Sequence, residues 1–280
     1  KFADGELYVQ IQQSIRGCDV FLIQPTCAPV NDSLMELMIM VDACKRASAR
    51  QITAVIPYYG YARADRKTSG RESITAKLTA NLLEKSGVDR VLAMDLHSAQ
   101  IQGYFDIPCD HIYGSPVLID YLETLNLEEV VVVSPDVGGV ARARAFAKLM
   151  KDAPLAIIDK RRSAHNIAES LTVIGEVKGK TAILIDDMID TGGTICSGAH
   201  LLKKEGANRI FACASHAVFS PPSYERLSTK DLFEQVIVTN SIPVLVKDNF
   251  PQLKVLSVAN MLGEAIWRIH EESSVSSMFR

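Results

Sequence analysis

Residues 182–194 read AILIDDMIDTGGT: an apolar run closed by two acids, Asp186 and Asp187, then a third at Asp190, and the turn Thr191-Gly192-Gly193-Thr194. An uninterrupted aliphatic run is what a strand buried on both faces requires, and such strands belong to parallel sheets covered by helices. The glycines let backbone N–H groups approach an anion closely, the threonine hydroxyls add donors, and the start of a following helix contributes its positive dipole end. The turn is therefore expected to cradle a phosphate. Carboxylates cannot ligate that phosphate, so Asp186 and Asp187 are expected on sugar hydroxyls or on a hydrated cation beside it.

Outward from this stretch, short β-branched runs alternate with longer amphipathic ones, the pattern of parallel strands joined by crossover helices. Strands are predicted at 19–24, 52–59, 90–97, 130–136, 155–161, 181–187, 210–219, 235–240 and 254–259. Helices are predicted at 31–49, 72–86, 116–125, 139–151, 193–205 and 260–271, with Asn31 and Asp32 as caps and Gly87 and Gly206 as stops. The segment around 220–230 reads as a loop leading into a polar helix. Turn-rich residues 106–116 mark a boundary between two doubly wound lobes, 1–114 and 115–280, the terminal tail returning to the first. In such sheets ligands bind beyond the carboxyl ends of the strands. Four strands run into polar clusters there.

The 280 residues carry 30 Lys+Arg and 33 Asp+Glu, a net charge of −3, so no global basic field argues for nucleic acid. No apolar run approaches the ~18 residues of a membrane helix. Six scattered cysteines, without metal spacing, are expected as buried reduced thiols of a cytoplasmic protein. The chain opens at Lys1 without Met, which reads as a fragment of a longer chain.

Three further clusters follow strands. In MDLHSAQIQGYFDIPCDH (94–111), His97 stands two residues after Asp95, with Asp106 and Asp110 nearby, so imidazole and carboxylates could converge on a divalent ion. In 63–71, Arg63, Arg66, Lys67 and Arg71 against Asp65 give a local +3, suited to clamping a polyphosphate. In IIDKRRSAHN (157–166), Lys160 and Arg162 share one side of an extended segment because side chains alternate with period two.

The stretch 182–194 resembles the phosphoribosyl-diphosphate binding motif of the type I phosphoribosyltransferase fold, shared by transferases and by a diphosphokinase. DLHSAQIQGYFDIP resembles the metal-binding signature of ribose-phosphate diphosphokinases, or phosphoribosyl diphosphate synthases, and the resemblance extends over essentially the whole chain. It implies an α/β fold of two type I phosphoribosyltransferase-like lobes, each a mostly parallel sheet flanked by helices, short of the family's first strand–helix unit. It further implies transfer of the diphosphoryl group of ATP to ribose 5-phosphate, with Mg2+ as cofactor. A transferase consuming that product would need a hood over a base, which the sequence does not offer. A non-catalytic regulatory relative would have lost catalytic residues that this chain keeps.

By the same resemblance, Asp186, Asp187, Asp190, Thr191, Gly192, Gly193 and Thr194 hold ribose 5-phosphate. His97 and Asp136, the latter in VVSPDVGG, are metal positions, with Asp95, Asp106 and Asp110 as further candidates. Phe2, Asp4, Glu6, Arg63, Ala64, Asp65, Arg66 and His97 contact ATP, the first three from a neighbouring subunit, while Lys160, Arg162 and Arg63 act in catalysis. Ser14, Arg16, Arg71, Ser274 and Phe279 match an effector site for phosphate and ADP in phosphate-activated members, which implies a homo-oligomer, a hexamer in this family.

Overall fold

A computed structural model describes residues 1–161, 170–244 and 250–279. The chain divides into two units, Lys1–Tyr113 with Ala259–Arg280, and Gly114–Val258.

In the first unit, β1 (Asp19–Ile23), β2 (Gln51–Ile56), β3 (Arg90–Met94) and β4 (Cys109–Ile112) form a parallel sheet in that order. Helices α1 (Val30–Arg46) and α2 (Thr75–Ser86) pack on it through Leu37, Val41, Ala80 and Leu83, against Ile52, Ala54, Val91 and Ala93. Strand β4 lies where the sequence suggested only a break. Its residues CDHI have weak strand propensity, and pairing with β3, reinforced by Arg90 to Asp110 at 2.7 Å, outweighs it.

The second unit holds β5 (Val130–Ser134), β6 (Leu155–Arg161), β7 (Ser170–Ile174), β8 (Thr181–Ile189), β9 (Arg209–Ala217), β10 (Gln235–Thr239) and β11 (Leu253–Leu256). They form one sheet in the order β11-β10-β9-β8-β5-β6-β7, parallel except for the unforeseen β6–β7 pair. Alternation sorts the side chains between two cores. Val131, Val133, Ala182, Leu184, Ala212 and Val236 face α5 (Gly193–Lys204); Val132, Ile183, Ile185, Phe211 and Ile237 face α3 (Ser115–Thr124) and α4 (Val140–Leu149). With both faces filled, buried polar groups gather toward the carboxyl ends of the strands, as Ser134 of β5, Asp187 of β8, His216 of β9 and Thr239 of β10 do. From β5 the chain leads to β6 on one side while β8 returns on the other, so the switch point falls between β5 and β8.

Two helix starts differ from expectation. The residue preceding α1 is Pro29, without a side-chain cap; Asn31 instead accepts from the Tyr61 hydroxyl, and Asp32 sits in the first turn, 3.1 Å from Lys1 Nζ. Helix α2 begins three residues late because the Glu72 carboxylate is engaged by the N–H groups of Thr68 and Ser69, at 2.7 and 3.0 Å. The expected stops hold: Gly87 has φ 116° and Gly206 φ 87°, the left-handed conformation that ends a helix. All six cysteines are free, but only four are buried: Cys18 is exposed and Cys109 half-buried.

One close approach fixes the chain after β2. The Gly60 N–H donates to Thr26 Oγ1 at 2.6 Å, and a Cβ at position 60 would lie 2.4 Å from the Thr26 carbonyl oxygen. Gly60→Ala is accordingly expected to lower stability by about 1–3 kcal/mol, the usual cost of overpacking. Urea unfolding would show this as a lower midpoint for the variant.

Candidate active site

Strand β8 ends in the cluster from which the sequence reading began. Beyond Ile189 the chain passes Asp190 and Thr191 into Gly192, whose φ of 74° is the left-handed conformation glycine tolerates, and then into α5. No side chain caps this helix, and the Gly192 carbonyl accepts its first bond, from Cys196 N–H at 2.9 Å. The first-turn N–H groups are thus open to an anion. Thr191 and Thr194 are exposed, flanking the buried Gly192.

The acid pair is less open than the sequence suggested. Asp186 is 21% exposed and Asp187 3%, and Arg142 Nη1 lies 3.0 Å from Asp186 Oδ1 and 3.3 Å from Asp187 Oδ1. Asp186 Oδ1 also accepts the Asp187 N–H at 2.9 Å. Burial pushes the Asp186 pKa up to about 8, the neighbouring Asp187 adds to the rise, and Arg142 opposes it. Arg142 had no role in the sequence reading. Its place in the first turn of α4 was nevertheless informative, because a cation there works against the helix dipole by about 0.3–1 kcal/mol. Charge-assisted hydrogen bonds, about 1.5–3 kcal/mol each, outweigh that cost.

Asp136, at the end of β5, is exposed, and its Oδ1 accepts the Gly139 N–H at 2.8 Å. A Cβ on Gly139 would lie 3.5 Å from that oxygen and 3.9 Å from Arg142 Nη1. The strand ends of β5 and β8 therefore place Asp136, Arg142 and the acid pair in one neighbourhood. Lys160 is exposed near the end of β6, at even-numbered register with the buried Ala156 and Ile158. Arg162 lies outside the described residues.

In the first unit, β3 is followed by Asp95, whose φ of 40° turns the chain so that the Leu96 N–H meets His111 Nε2 at 3.0 Å. His97 follows, half-buried. Among the described residues no three His, Cys, Asp or Glu side chains gather as a metal cluster. Asp110 is paired with Arg90 at 2.7 Å, and Asp106 is 88% exposed, 4.0 Å from Lys77 Nζ.

After β2, Arg63, Arg66 and Arg71 are exposed, while Ala64 is half-buried. Asp65, expected on ATP, is buried: its carboxylate accepts from Gln100 Nε2 at 3.1 Å and its carbonyl from the Tyr104 hydroxyl, so it fastens the base of the loop. Hydrogen bonds from Ser69 and Thr68 hold the Glu72 pKa down at about 2, keeping its carboxylate charged across the turn. Near the start of the chain, Phe2, Asp4 and Glu6 are exposed on a turn closed by Phe2 N–H to Glu6 O at 2.8 Å. Of the expected effector residues, Ser14 and Arg16 are exposed, Ser274 O accepts from Arg268 at 3.1 Å, and Phe279 packs edge-on against Tyr113 with ring centres 5.6 Å apart.

A family model described as the N-terminal domain of ribose phosphate pyrophosphokinase matches residues 1–87, and one described as the phosphoribosyl synthetase-associated domain matches residues 156–280. The chain is 95% identical over 280 residues to a ribose-phosphate pyrophosphokinase of Prochlorococcus marinus subsp. pastoris, covering 100% of this chain and 85% of that one. It is 77% identical over 280 residues to its counterpart in Synechococcus elongatus, with 100% and 85% covered. A solved phosphoribosylpyrophosphate synthetase from Mycobacterium smegmatis superposes with a TM-score of 0.91 at 46% identity, covering 97% of this chain and 89% of that one.

A carboxyl whose pKa rises from 3.8 to about 8 on folding contributes stability that is complete below the lower value and is lost as pH climbs through the higher one. Asp186→Asn removes that dependence. The thermal midpoint of the variant minus that of the parent, both without ligands, is expected to grow between pH 5 and pH 9. A difference independent of pH would contradict the raised pKa.

Proposed function

Because the chain belongs to the ribose-phosphate pyrophosphokinase family, and so makes phosphoribosyl diphosphate from ATP and ribose 5-phosphate, we propose that the turn after β8 is where it holds the sugar phosphate. The observation that carries this is the uncapped start of α5 directly beyond the acid pair. The N–H groups of Gly192, Gly193 and Thr194, with the Thr191 and Thr194 hydroxyls, take the 5-phosphate. Asp186 and Asp190 accept from ribose hydroxyls, and Asp187 acts through its shared partner Arg142. Anchoring the phosphate fixes the anomeric hydroxyl against the ATP chain, which removes much of the entropic cost of bringing two substrates together.

In the reaction the anomeric oxygen bonds to the β-phosphorus while the bond to the α,β-bridging oxygen breaks. AMP leaves with that oxygen, and the hydroxyl proton is released. No protein nucleophile takes part. Lys160, Arg162 and Arg63 are assigned to the negative charge that builds on the transferred phosphoryl group and on departing AMP. Arg63, Arg66, Ala64, Phe2, Asp4 and Glu6 are assigned to ATP, whereas Asp65 supports the loop that carries the arginines.

The family uses a metal ion, and we assign magnesium to His97 and Asp136. The exposed carboxylate of Asp136 suits a hard ion that keeps several waters and takes further oxygens from a nucleotide, while His97 is assigned on the family resemblance of its segment. Bound there, it supplies charge neutralisation to the polyphosphate oxygens. No helix among the described residues is long and apolar enough to cross a membrane. The biosynthetic role is assigned to the cytoplasm. Ser14, Arg16, Arg71, Ser274 and Phe279 are assigned to phosphate and ADP as effectors in a homo-oligomer, a hexamer.

Incubation with ATP, magnesium and ribose 5-phosphate is expected to yield AMP and phosphoribosyl diphosphate in equal amounts. Lys160→Ala should lower kcat by about 100-fold or more with little change in either KM, as expected for a group acting on the transition state. A purified variant with unchanged kcat would remove Lys160 from catalysis.

A further inference from the structure

Behind the phosphate turn lies a short helix, α6 (Ser223–Leu227), in the segment that the sequence read as a loop and a polar helix. Its last two residues meet the turn. Leu227 is buried, and its Cγ lies 3.4 Å from where a Cβ on Gly192 would stand. Arg226 Nη1 donates to the Thr191 carbonyl at 3.1 Å, and the same nitrogen lies 3.4 Å from where a Cβ on Gly193 would stand. The helix itself is anchored: Tyr224 packs edge-on against Phe219 and Phe250 of the core, at 5.2 and 6.2 Å, and Thr229 Oγ1 donates to the Arg226 carbonyl at 2.7 Å.

In a trans peptide unit the carbonyl and the following N–H point in opposite directions. A guanidinium that holds the Thr191 carbonyl on the α6 side therefore turns the Gly192 N–H to the other side. A full positive charge beside that peptide also adds to the field of the α5 terminus. Gly192 and Gly193 give the turn its close approach but also many alternative conformations, so something outside the turn must select one.

We propose that Arg226 is a positioning residue for the sugar phosphate: by clasping the Thr191 carbonyl it holds the Thr191–Thr194 turn with its N–H groups presented to a phosphate monoester dianion. The proposal rests on reading that turn as the ribose 5-phosphate site. Calorimetric titration of the full chain with ribose 5-phosphate tests it, using Arg226→Gln, Arg226→Lys and, as a control in the turn itself, Thr194→Ala. Arg226→Gln is expected to weaken binding about tenfold, the scale of losing one charge-assisted contact, and Arg226→Lys to restore part of it. The KM for ribose 5-phosphate should rise by a similar factor, while kcat and the KM for ATP change by less than about threefold.

Parental affinity in Arg226→Gln, with binding lost in Thr194→Ala, would overturn the role of Arg226 and leave the turn as the phosphate site. Equal losses for ATP and ribose 5-phosphate would make Arg226 merely structural and overturn the proposal. Parental affinity in Thr194→Ala and Arg226→Gln alike would remove the phosphate site from this turn, and the proposal with it.

Discussion

Two adjacent carboxylates near the end of a buried parallel strand repel each other and lose their hydration, and the guanidinium of Arg142, in reach of both Asp186 and Asp187, is what opposes both costs. Removing one partner from a buried ion pair typically costs about 3–5 kcal/mol, because the remaining charge is stranded. The acids alone would be expected to take up protons. Arg142 opposes that uptake, yet burial and the neighbouring Asp187 outweigh it at Asp186, whose pKa stays raised. A ligand that offers hydroxyl donors or a cation at this strand end meets acceptors already gathered and oriented.

The rest of the second unit follows from confining polar groups to strand ends. Both faces of the sheet are filled by aliphatic side chains, so charge on β8 is confined to Asp186 and Asp187 near its end, beyond the stretch that pairs with β5. The charged residues fall where the strands stop, and the switch in winding direction between β5 and β8 leaves room for them. Asp136, Arg142 and the acid pair are neighbours for that reason, although up to 51 positions separate them in sequence, from 136 to 187. The formal charge of −3 concealed this, since it averages an acidic strand end with the cationic stretches at 63–71 and 160–162.

Strand β8 and the phosphate turn were legible because their pattern is local: an aliphatic run, then acids, then glycines before a helix; β7, at 170–174, carries no such pattern and was missed. Strand β4 was not, because CDHI is held by pairing with β3 and by Arg90, neither visible in its own composition. Asp65 looked like part of a charged loop, yet it is buried beneath one, and a single carboxylate among arginines does not declare which way it turns. Asp110, expected near His97, is paired with Arg90 of β3, a partner that its own segment does not declare. Arg142 and Arg226 escaped notice because their partners are distant in sequence, 44 and 35 positions away.

Diffraction from crystals of the protein grown with ribose 5-phosphate measures the central claim directly, that one strand end separates the roles of phosphate holder and sugar holder. The account predicts phosphate oxygens about 3 Å from the N–H groups of Gly193 and Thr194. The sugar hydroxyls should lie on the side of Asp186 and Asp190, with Arg142 still in reach of its two acids. Density for the phosphate elsewhere, with the Thr191–Thr194 turn empty, would contradict it.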